Sequence, residues 1–242
     1  PHVYVTKDSG RSWRSLGATL PPSPVNVIVE HHENPDLLFI GSDIGVYFSI
    51  DGGEHWNPLK ANMPVVPVKD LVLHPREQDL VVATYGRGLY VADISPLVEF
   101  DAEVLAKPLH LFDLEAGVAA RSPRSDWGAY HMQGDRHLRT ENEPAGLTVY
   151  YLLGRETSSH VSILIADDQG KELAELEGST KAGLNRVQWD TGAAEEPVTP
   201  GDYTVTLIAE GGRISKRGTL RPARAFPIGP VSGALKMPAE GS

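Results

Sequence analysis

The chain has 242 residues, of which 40% are hydrophobic, and a formal net charge of −10. This hydrophobic content suffices for one large or two smaller domains with real cores, and the acidic, unclustered charge argues against nucleic acid or an anionic membrane as a partner. The absence of cysteine excludes disulfides, thiolate metal sites and a cysteine nucleophile. No segment approaches the roughly 18 apolar residues of a spanning helix, so we expect no membrane span.

A spacing of 43 residues recurs in the first hundred residues of the chain. Trp13 and Trp56 are 43 residues apart, and so are Gly45 and Gly88. Landmarks that share one spacing indicate an internal repeat.

Two copies of the repeat contain a hydroxyl residue, an aspartate, a glycine and a tryptophan in the same relative positions. A β-forming segment precedes the aspartate, and the glycine permits the positive φ of a tight turn. The carboxylate can accept hydrogen bonds from its own turn while the tryptophan packs on the sheet. The pattern therefore predicts a β-hairpin held together by its own side chains. These structural residues are Thr6, Asp8, Gly10 and Trp13 in one copy and Ser49, Asp51, Gly53 and Trp56 in the other.

This motif resembles the Asp-box, or bacterial neuraminidase repeat. The resemblance implies a β-propeller with four strands per blade, as in sialidases, xyloglucanase-type glycosidases and sortilin-like receptors. It also implies that Asp8 and Asp51 lie on the rim of their blades, away from a central site, and have a structural role. Many proteins with this motif are exported by bacteria, so the resemblance implies an extracellular or periplasmic location.

Residues 1–97 are predicted to form the C-terminal two to three blades of such a propeller. The chain begins within a segment interpreted as the third strand of a blade, so we expect it to be a piece of a longer protein. At residues 93–97, DISPL, the hairpin signature is lost. Two to three blades cannot close a ring, and exposed sheet edges tend to pair. The expected partners are therefore upstream blades of the parent protein, or other copies of the chain that associate through open blade edges.

Residues 98–145 are predicted to connect this propeller to a second domain. Within them, residues 108–112 are predicted to form a short strand that leaves the propeller. Residues 121–140 are rich in Arg, Asp, Gly and His and have no hydrophobic period, so we interpret them as a long loop.

Residues 146–224 return to β-type patterns. Six or seven short alternating segments are separated by turn residues at intervals of about eight to twelve, which predicts an Ig-like or fibronectin-like β-sandwich. Residues 183–190, GLNRVQWD, and 200–205, PGDYTV, resemble the Ig-like domains at the C-terminal ends of secreted bacterial proteins, as also found in flagellar hook-capping proteins. Residues 225–242 are predicted to be a tail. The predicted fold class is therefore all-β.

Asp43 is the candidate catalytic residue. Xyloglucanase-like propellers place a catalytic aspartate in a similar turn that faces the central channel. The similarity fails at Val46, where that family has a glycine, and the position 43 residues after Asp43 is Gly86 rather than a carboxylate. Since glycoside hydrolysis requires two carboxylates, the favoured interpretation of Asp43 is an ordinary turn residue.

Tyr85 and Arg87 are the candidate ligand-binding residues, in a turn predicted to reach the propeller face. A sialidase would need further arginines at matching blade positions, and the sequence has none there. His131 and His137 flank Asp135, which offers a metal site as an alternative reading. No metal-binding motif is present, so we predict no metal and no cofactor.

Two functions of different classes follow from these patterns. The favoured one is a noncatalytic binding or architectural segment of an exported Asp-box propeller protein, with a protein or glycan as ligand. The alternative is part of a glycoside hydrolase, xyloglucanase-like or sialidase-like, whose other catalytic residues lie in upstream blades. The two differ in whether carboxylates converge on the propeller axis.

Overall fold

The computed structural model describes residues 1–60, 63–75, 77–119, 145–193 and 198–222. These residues form several β-sheets with little helix, which confirms the predicted all-β class. The predicted tail lies outside the described residues.

The first half contains three antiparallel sheets built from strands that follow one another in the chain. The strands are β1 (Tyr4–Val5), β2 (Arg14–Ser15), β3 (Val25–Glu30), β4 (Leu38–Ser42), β5 (Gly45–Ser49), β6 (Asn57–Pro58), β7 (Val68–Leu73), β8 (Asp79–Thr84) and β9 (Leu89–Asp93). The first sheet contains β1 and β2, the second β3 to β6 and the third β7 to β9. The second and third sheets share the 43-residue spacing in detail, because each has a β-bulge near its start, between Val25 and Val27 and between Val68 and Asp70.

The second half contains two sheets that pack face to face as a sandwich. Its strands are β10 (Leu109–Leu111), β11 (Gly117–Val118), β12 (Leu147–Leu153), β13 (Ser162–Ala166), β14 (Glu172–Glu177), β15 (Gly183–Trp189), β16 (Gly201–Ala209) and β17 (Gly212–Arg221). One sheet has the order β10-β12-β15 and the other β11-β17-β16-β13-β14. Val149 and Tyr151 of the first sheet share one buried core with Ile163 and Val205 of the second.

Two strands of the segment 98–145 join the sheets of the second half. β10, which lies within the strand predicted at 108–112, pairs with β12, and β11 pairs with β17. Strands of three and two residues are too short for alternation to reveal which sheet they join. The loop predicted at 121–140, with His131, Asp135 and His137, lies outside the described residues.

Two short helices that the sequence did not predict lie between the halves, α1 (Ser95–Val98) and α2 (Ala102–Ala106). The Asp101 side chain caps α2 by accepting a hydrogen bond from the N–H of Val104, at 2.7 Å. None of the helices among the described residues is long and apolar enough to cross a membrane.

One apolar core joins the two halves. Phe112 and Leu152 from the sandwich side are buried in the same cluster as Phe39 and Leu80 from the second and third sheets. Gly41 permits the close approach of the second and third sheets, because a Cβ at this position would lie 2.6 Å from a methyl group of Val68. The core therefore positions the sheets of the first half against each other and against the sandwich.

Candidate functional site

The second copy of the repeat motif forms a closed hydrogen-bond network within its own turn. The Ser49 hydroxyl donates to the Asp51 carboxylate at 2.7 Å and accepts from the N–H of Gly53 at 2.9 Å. Asp51 also accepts from the N–H of His55 at 2.9 Å and contacts its Nδ1 at 2.7 Å. Burial acts to raise the pKa of Asp51, but the hydrogen bonds from His55 and Ser49 outweigh it and leave that pKa lowered.

The first copy has the same arrangement in a more exposed setting. The Thr6 hydroxyl donates to Asp8 at 2.9 Å and accepts from the N–H of Gly10 at 2.8 Å. The Ser12 hydroxyl and N–H donate to the two Asp8 oxygens at 2.6 and 2.8 Å. In both copies the aspartate therefore bonds to groups of its own hairpin.

The two tryptophans differ in environment. Trp56 is only 7% exposed, and its Nε1 donates to the carbonyl of Leu16 at 2.7 Å, in the preceding hairpin. Trp13 is 62% exposed, and its Nε1 donates to the carbonyl of Gly10 at 3.2 Å. Trp56 therefore lies in the core that the first and second sheets share, whereas Trp13 is largely exposed.

Replacement of Ser12 by alanine is expected to raise the pKa of Asp8. Hydrogen bonds from the Ser12 hydroxyl and N–H, followed by one from Thr6, lower that pKa to about 2. The ionised carboxylate is therefore favoured in the folded state, and its contribution to stability is present above the ordinary pKa of aspartate and lost as the pH falls towards 2. Carboxyl ¹³C chemical shifts recorded against pH measure the change.

A matched control for this titration is Ser15→Ala, since the Ser15 hydroxyl contacts the N–H of Gly17 rather than Asp8. The control should leave the titration midpoint of Asp8 unchanged. A midpoint that stayed near 2 in Ser12→Ala would show that the Ser12 hydroxyl does not hold the carboxylate in solution.

Asp43 lies in the β4–β5 turn, at the edge where the second and third sheets meet. Its Oδ1 accepts from the Asn26 side-chain amide at 2.8 Å and lies 3.4 Å from the Lys69 ammonium. Asn26 also donates to the carbonyl of Val68 at 2.9 Å and so bridges the two sheets. The hydrogen bond from Asn26 is the main cause that lowers the pKa of Asp43; burial opposes it, and Lys69 adds to it.

Tyr85 and Arg87 lie in the neighbouring β8–β9 turn and are exposed, Tyr85 by 73%. The Lys69 ammonium lies 6.0 Å from the centre of the Tyr85 ring, at the outer limit of a cation–π contact. Lys69 therefore links Asp43 to Tyr85, and the residues Asn26, Asp43, Lys69, Tyr85 and Arg87 are called the turn-edge site below.

The sequence prediction missed two members of the turn-edge site, Asn26 and Lys69. They are 43 residues apart and thus occupy equivalent positions of the repeat. The 43-residue spacing could have identified this pair. Asn26 lies in β3, and Asp43 lies in the turn after β4, which is the next strand of the same sheet.

The turn-edge site offers one ionised carboxylate, cations and an exposed aromatic ring. A general acid in glycoside hydrolysis requires a raised pKa, whereas the pKa of Asp43 is lowered. The described residues contain no group of three or more potential metal ligands. These groups suit recognition of a polar ligand through hydrogen bonds and contact with the ring.

Comparison with known proteins gives a partial match. The family model for the FlgD Ig-like domain matches residues 140–212, less than half of the chain, and these residues include β12 to β16 of the sandwich. No curated protein matches the chain.

Two solved structures from B. thetaiotaomicron are similar over much of this chain. One is the extracellular domain of a hybrid two component system, with TM-score 0.27, 11% identity, and coverage of 88% of this chain and 27% of that chain. The other is the extracellular domain of a one component system, with TM-score 0.27, 10% identity, and coverage of 94% and 30%. The chain thus spans less than a third of the length of either structure.

Proposed function

We propose that the chain is a noncatalytic binding and architectural segment of an exported bacterial protein, formed by the last blades of an Asp-box propeller and an Ig-like sandwich. The observation that carries this proposal is the hydrogen bonding of the repeat carboxylates. Asp8 and Asp51 accept bonds from groups of their own hairpins. Their role is therefore to stabilise the hairpin rather than to act on a substrate.

The order in which the sheets pack supports the propeller part of the proposal. Residues of the first and second sheets share one core, which includes Leu16, Ile40 and Trp56. Residues of the second and third sheets share another, which includes Phe39 and Leu80. Successive antiparallel sheets that pack on their chain neighbours are typical of propeller blades.

The sandwich and its family match support the exported, architectural part of the proposal. The FlgD Ig-like match lies on the two-sheet half, so the architectural role is proposed by analogy with the fold of this half. The ligand of the turn-edge site is a protein or glycan that contacts Tyr85 and Lys69 from solvent.

The alternative, a glycoside hydrolase, places the other catalytic residues in upstream blades, so it is tested on a protein that carries those blades together with this chain, with xyloglucan and sialyllactose as substrates. We expect no reducing ends and no sialic acid to be released above the level of heat-denatured protein, because the Asp43 carboxylate is held by Asn26 and Lys69. Asp43→Asn should behave like the unmodified protein. Hydrolysis by the unmodified protein that disappears in Asp43→Asn would overturn the noncatalytic assignment.

A further inference from the structure

The third sheet has three strands where the second has four. In the second sheet, β6 lies along β5, and the N–H of Leu59 donates to the carbonyl of Val46 at 2.9 Å. Leu89 of β9 is 43 residues after Val46. Among the described residues, β9 pairs only with β8, so the place that β6 fills in the second sheet is open in the third.

The hydrogen-bond alternation shows which groups of β9 face this open place. The N–H of Thr84 donates to the carbonyl of Gly88, and the N–H of Ile94 donates to the carbonyl of Gln78. Bonded and non-bonded pairs alternate along an antiparallel pair of strands. The even-numbered residues from 88 to 94 therefore direct their backbone groups towards β8, and the odd-numbered residues between them direct theirs towards the open edge.

The open edge of β9 is apolar, unlike that of β14, the edge strand of the five-stranded sheet. Leu89 is 70% exposed and Val91 is 64% exposed. Natural sheets usually protect free edges with charges or a covering segment. β14 is protected in this way, because it carries the exposed glutamates Glu172, Glu175 and Glu177. The lack of such charges at the centre of β9 indicates that a partner covers it.

The sandwich leaves the outward-facing side chains of β9 uncovered. A cleft of about 870 Å³ separates Val91 and Asp93 from the sandwich residues Thr148 and Arg186. Its volume lies within the range of roughly 300 to 1,000 Å³ that binding sites occupy. Side chains of a further strand therefore have room beside β9.

The segment 87–93, RGLYVAD, is complementary to itself when two copies run antiparallel with residue 90 at the two-fold axis. In this register Leu89 of one copy lies opposite Val91 of the second copy. Asp93 of one copy lies beside the turn that carries Arg87 of the second copy. Apolar pairs and opposite charges across neighbouring strands both stabilise a sheet.

The same register also satisfies the backbone of the two edges. Leu89 and Val91 both direct their N–H and C=O groups outward, so the two residues form a doubly hydrogen-bonded pair. A shift of the register by two residues in one direction would place Leu89 opposite Asp93. A shift in the other direction would place Arg87 opposite Val91. Only the register centred on residue 90 keeps both complementary contacts.

Arg87 and Asp93 are available for a contact between copies. Arg87 is exposed and makes no hydrogen bond or ion pair with another of the described residues. Asp93 accepts from the N–H of Ser95 at 2.9 Å and interacts with the Tyr150 hydroxyl. Within the part of the chain that the structure describes, neither charge has an ionic partner.

We propose that two copies of the chain associate through β9, which pairs antiparallel with β9 of the second copy and so continues the third sheet across a two-fold axis. Each edge meets its own equivalent, so the contact is closed and stops at a dimer. The apolar pair of Leu89 and Val91 forms its centre, and the pair of Arg87 and Asp93 forms its two ends.

Sedimentation equilibrium of the full chain from about 10 μM to 1 mM tests this association. Because one pair of strands makes a small interface, we expect a reversible dimer whose average mass rises from one chain towards two over this range. A mass that stays that of a single chain at about 1 mM, or that exceeds two chains, would overturn the proposal.

Charge reversal at the two ends tests the partner and the register together. Arg87→Asp places an aspartate beside Asp93 of the second copy, and Asp93→Arg places an arginine beside Arg87. Each variant alone should therefore dimerise at least about tenfold more weakly. A mixture of the two variants pairs each new charge with its opposite and should restore association to within about threefold of the unmodified chain. If both variants are folded by circular dichroism and the mixture does not recover, the proposed register is wrong.

A second pair of variants leaves the ends of the edge unchanged and so does not depend on the folding of Asp93→Arg. Val91→Lys places a charge at the centre of the edge and should weaken the dimer at least about tenfold. Leu173→Lys adds the same charge to β14, where Leu173 is 41% exposed, and should leave the dimer unchanged. Equal association of Val91→Lys and the unmodified chain would contradict pairing through β9.

Hydrogen exchange identifies the groups that pair. When the concentration is raised from about 10 μM to 1 mM, exchange at the amides of Leu89 and Val91 should slow about threefold or more. The amides of Tyr90 and Ala92 already face β8 and should keep their rates. Slowing confined to other strands would overturn the proposal. Slow exchange at Leu89 and Val91 in the dilute sample would overturn it too, because another part of the chain would then occupy the edge.

Discussion

Replacement of Gly146 by alanine is expected to reduce the free energy of unfolding by about 4 kcal/mol, the sum of an overpacking cost and a left-handed backbone cost. Gly146 has φ +103°, and its N–H donates to the carbonyl of Val118 at 2.8 Å. A Cβ at this position would overlap the carbonyl oxygen of Trp189. The overlapped atom belongs to the backbone of β15, so no side-chain rotation can relieve the contact.

Gly170→Ala is the matched control for this substitution. Gly170 also has a positive φ, +81°, but an added Cβ would meet no atom within 4 Å. We expect a loss of about 1 kcal/mol, from the backbone conformation alone. Urea denaturation of both variants measures the difference. Equal losses would show that the close approach of Gly146 to Trp189 does not exist in solution.

Long alternating segments allowed accurate prediction of the strands that form the body of the structure. β12, Leu147–Leu153, and β15, Gly183–Trp189, lie within residues 146–224, where alternating segments predicted strands. Each strand has seven residues, and β12 in particular alternates between buried and less buried positions along most of its length. Burial on one face of a strand imposes this period on the sequence.

The features that were missed are short or depend on distant contacts. The strand predicted at 108–112 contains β10, but the sheets that β10 and β11 join were not predicted, because these strands have three and two residues and pair with residues 40 or more positions away. α1 has only four residues, and the buried residues in it and beside it, Leu97, Ile94 and Phe100, form no helical period of useful length. Local patterns carry little information about such contacts.

The candidate site was predicted only in part, because some of its residues are brought together by contacts between distant parts of the chain. Asp43, Tyr85 and Arg87 lie in turns, where glycine and aspartate give a clear signal. Asn26 and Lys69 lie in strands without any special residue pattern, and only the geometry of two adjacent sheets brings them to Asp43. The exposure of Trp13 likewise depends on what packs against its hairpin rather than on the motif itself.

The polar contacts between the two halves contribute little to stability. Glu99, which follows α1, accepts from the His110 Nε2 at 3.2 Å and from the N–H of Asp113 at 2.5 Å, and lies 3.4 Å from the Lys216 ammonium. Lys216 also contacts Asp113. Partly exposed ion pairs of this kind contribute about 1 kcal/mol or less each, so the apolar core determines whether the halves unfold together.

Phe112→Ala is therefore expected to lower the free energy of unfolding by about 3 to 5 kcal/mol, through lost apolar contact and the cavity that remains. The Phe112 ring is buried and lies 5.1 Å from the ring of Phe100 and 4.7 Å from that of His110. Its N–H bond to the carbonyl of Tyr150, at 3.1 Å, involves only the backbone and can persist in the variant. The variant thus removes one ring from the shared apolar core and leaves the polar contacts between the halves in place.

Native-state hydrogen exchange distinguishes the role of this core from a general loss of stability. In the unmodified chain we expect the slowest amides of β4 and β16 to exchange with the same free energy of opening, because the shared core makes the two halves one cooperative unit. In Phe112→Ala the two values should separate by more than about 1 kcal/mol, whereas Ile163→Val, in the core of the sandwich alone, should lower stability by about 1 kcal/mol and keep them equal. If the values stay equal in Phe112→Ala, cooperation between the halves does not depend on the Phe112 ring.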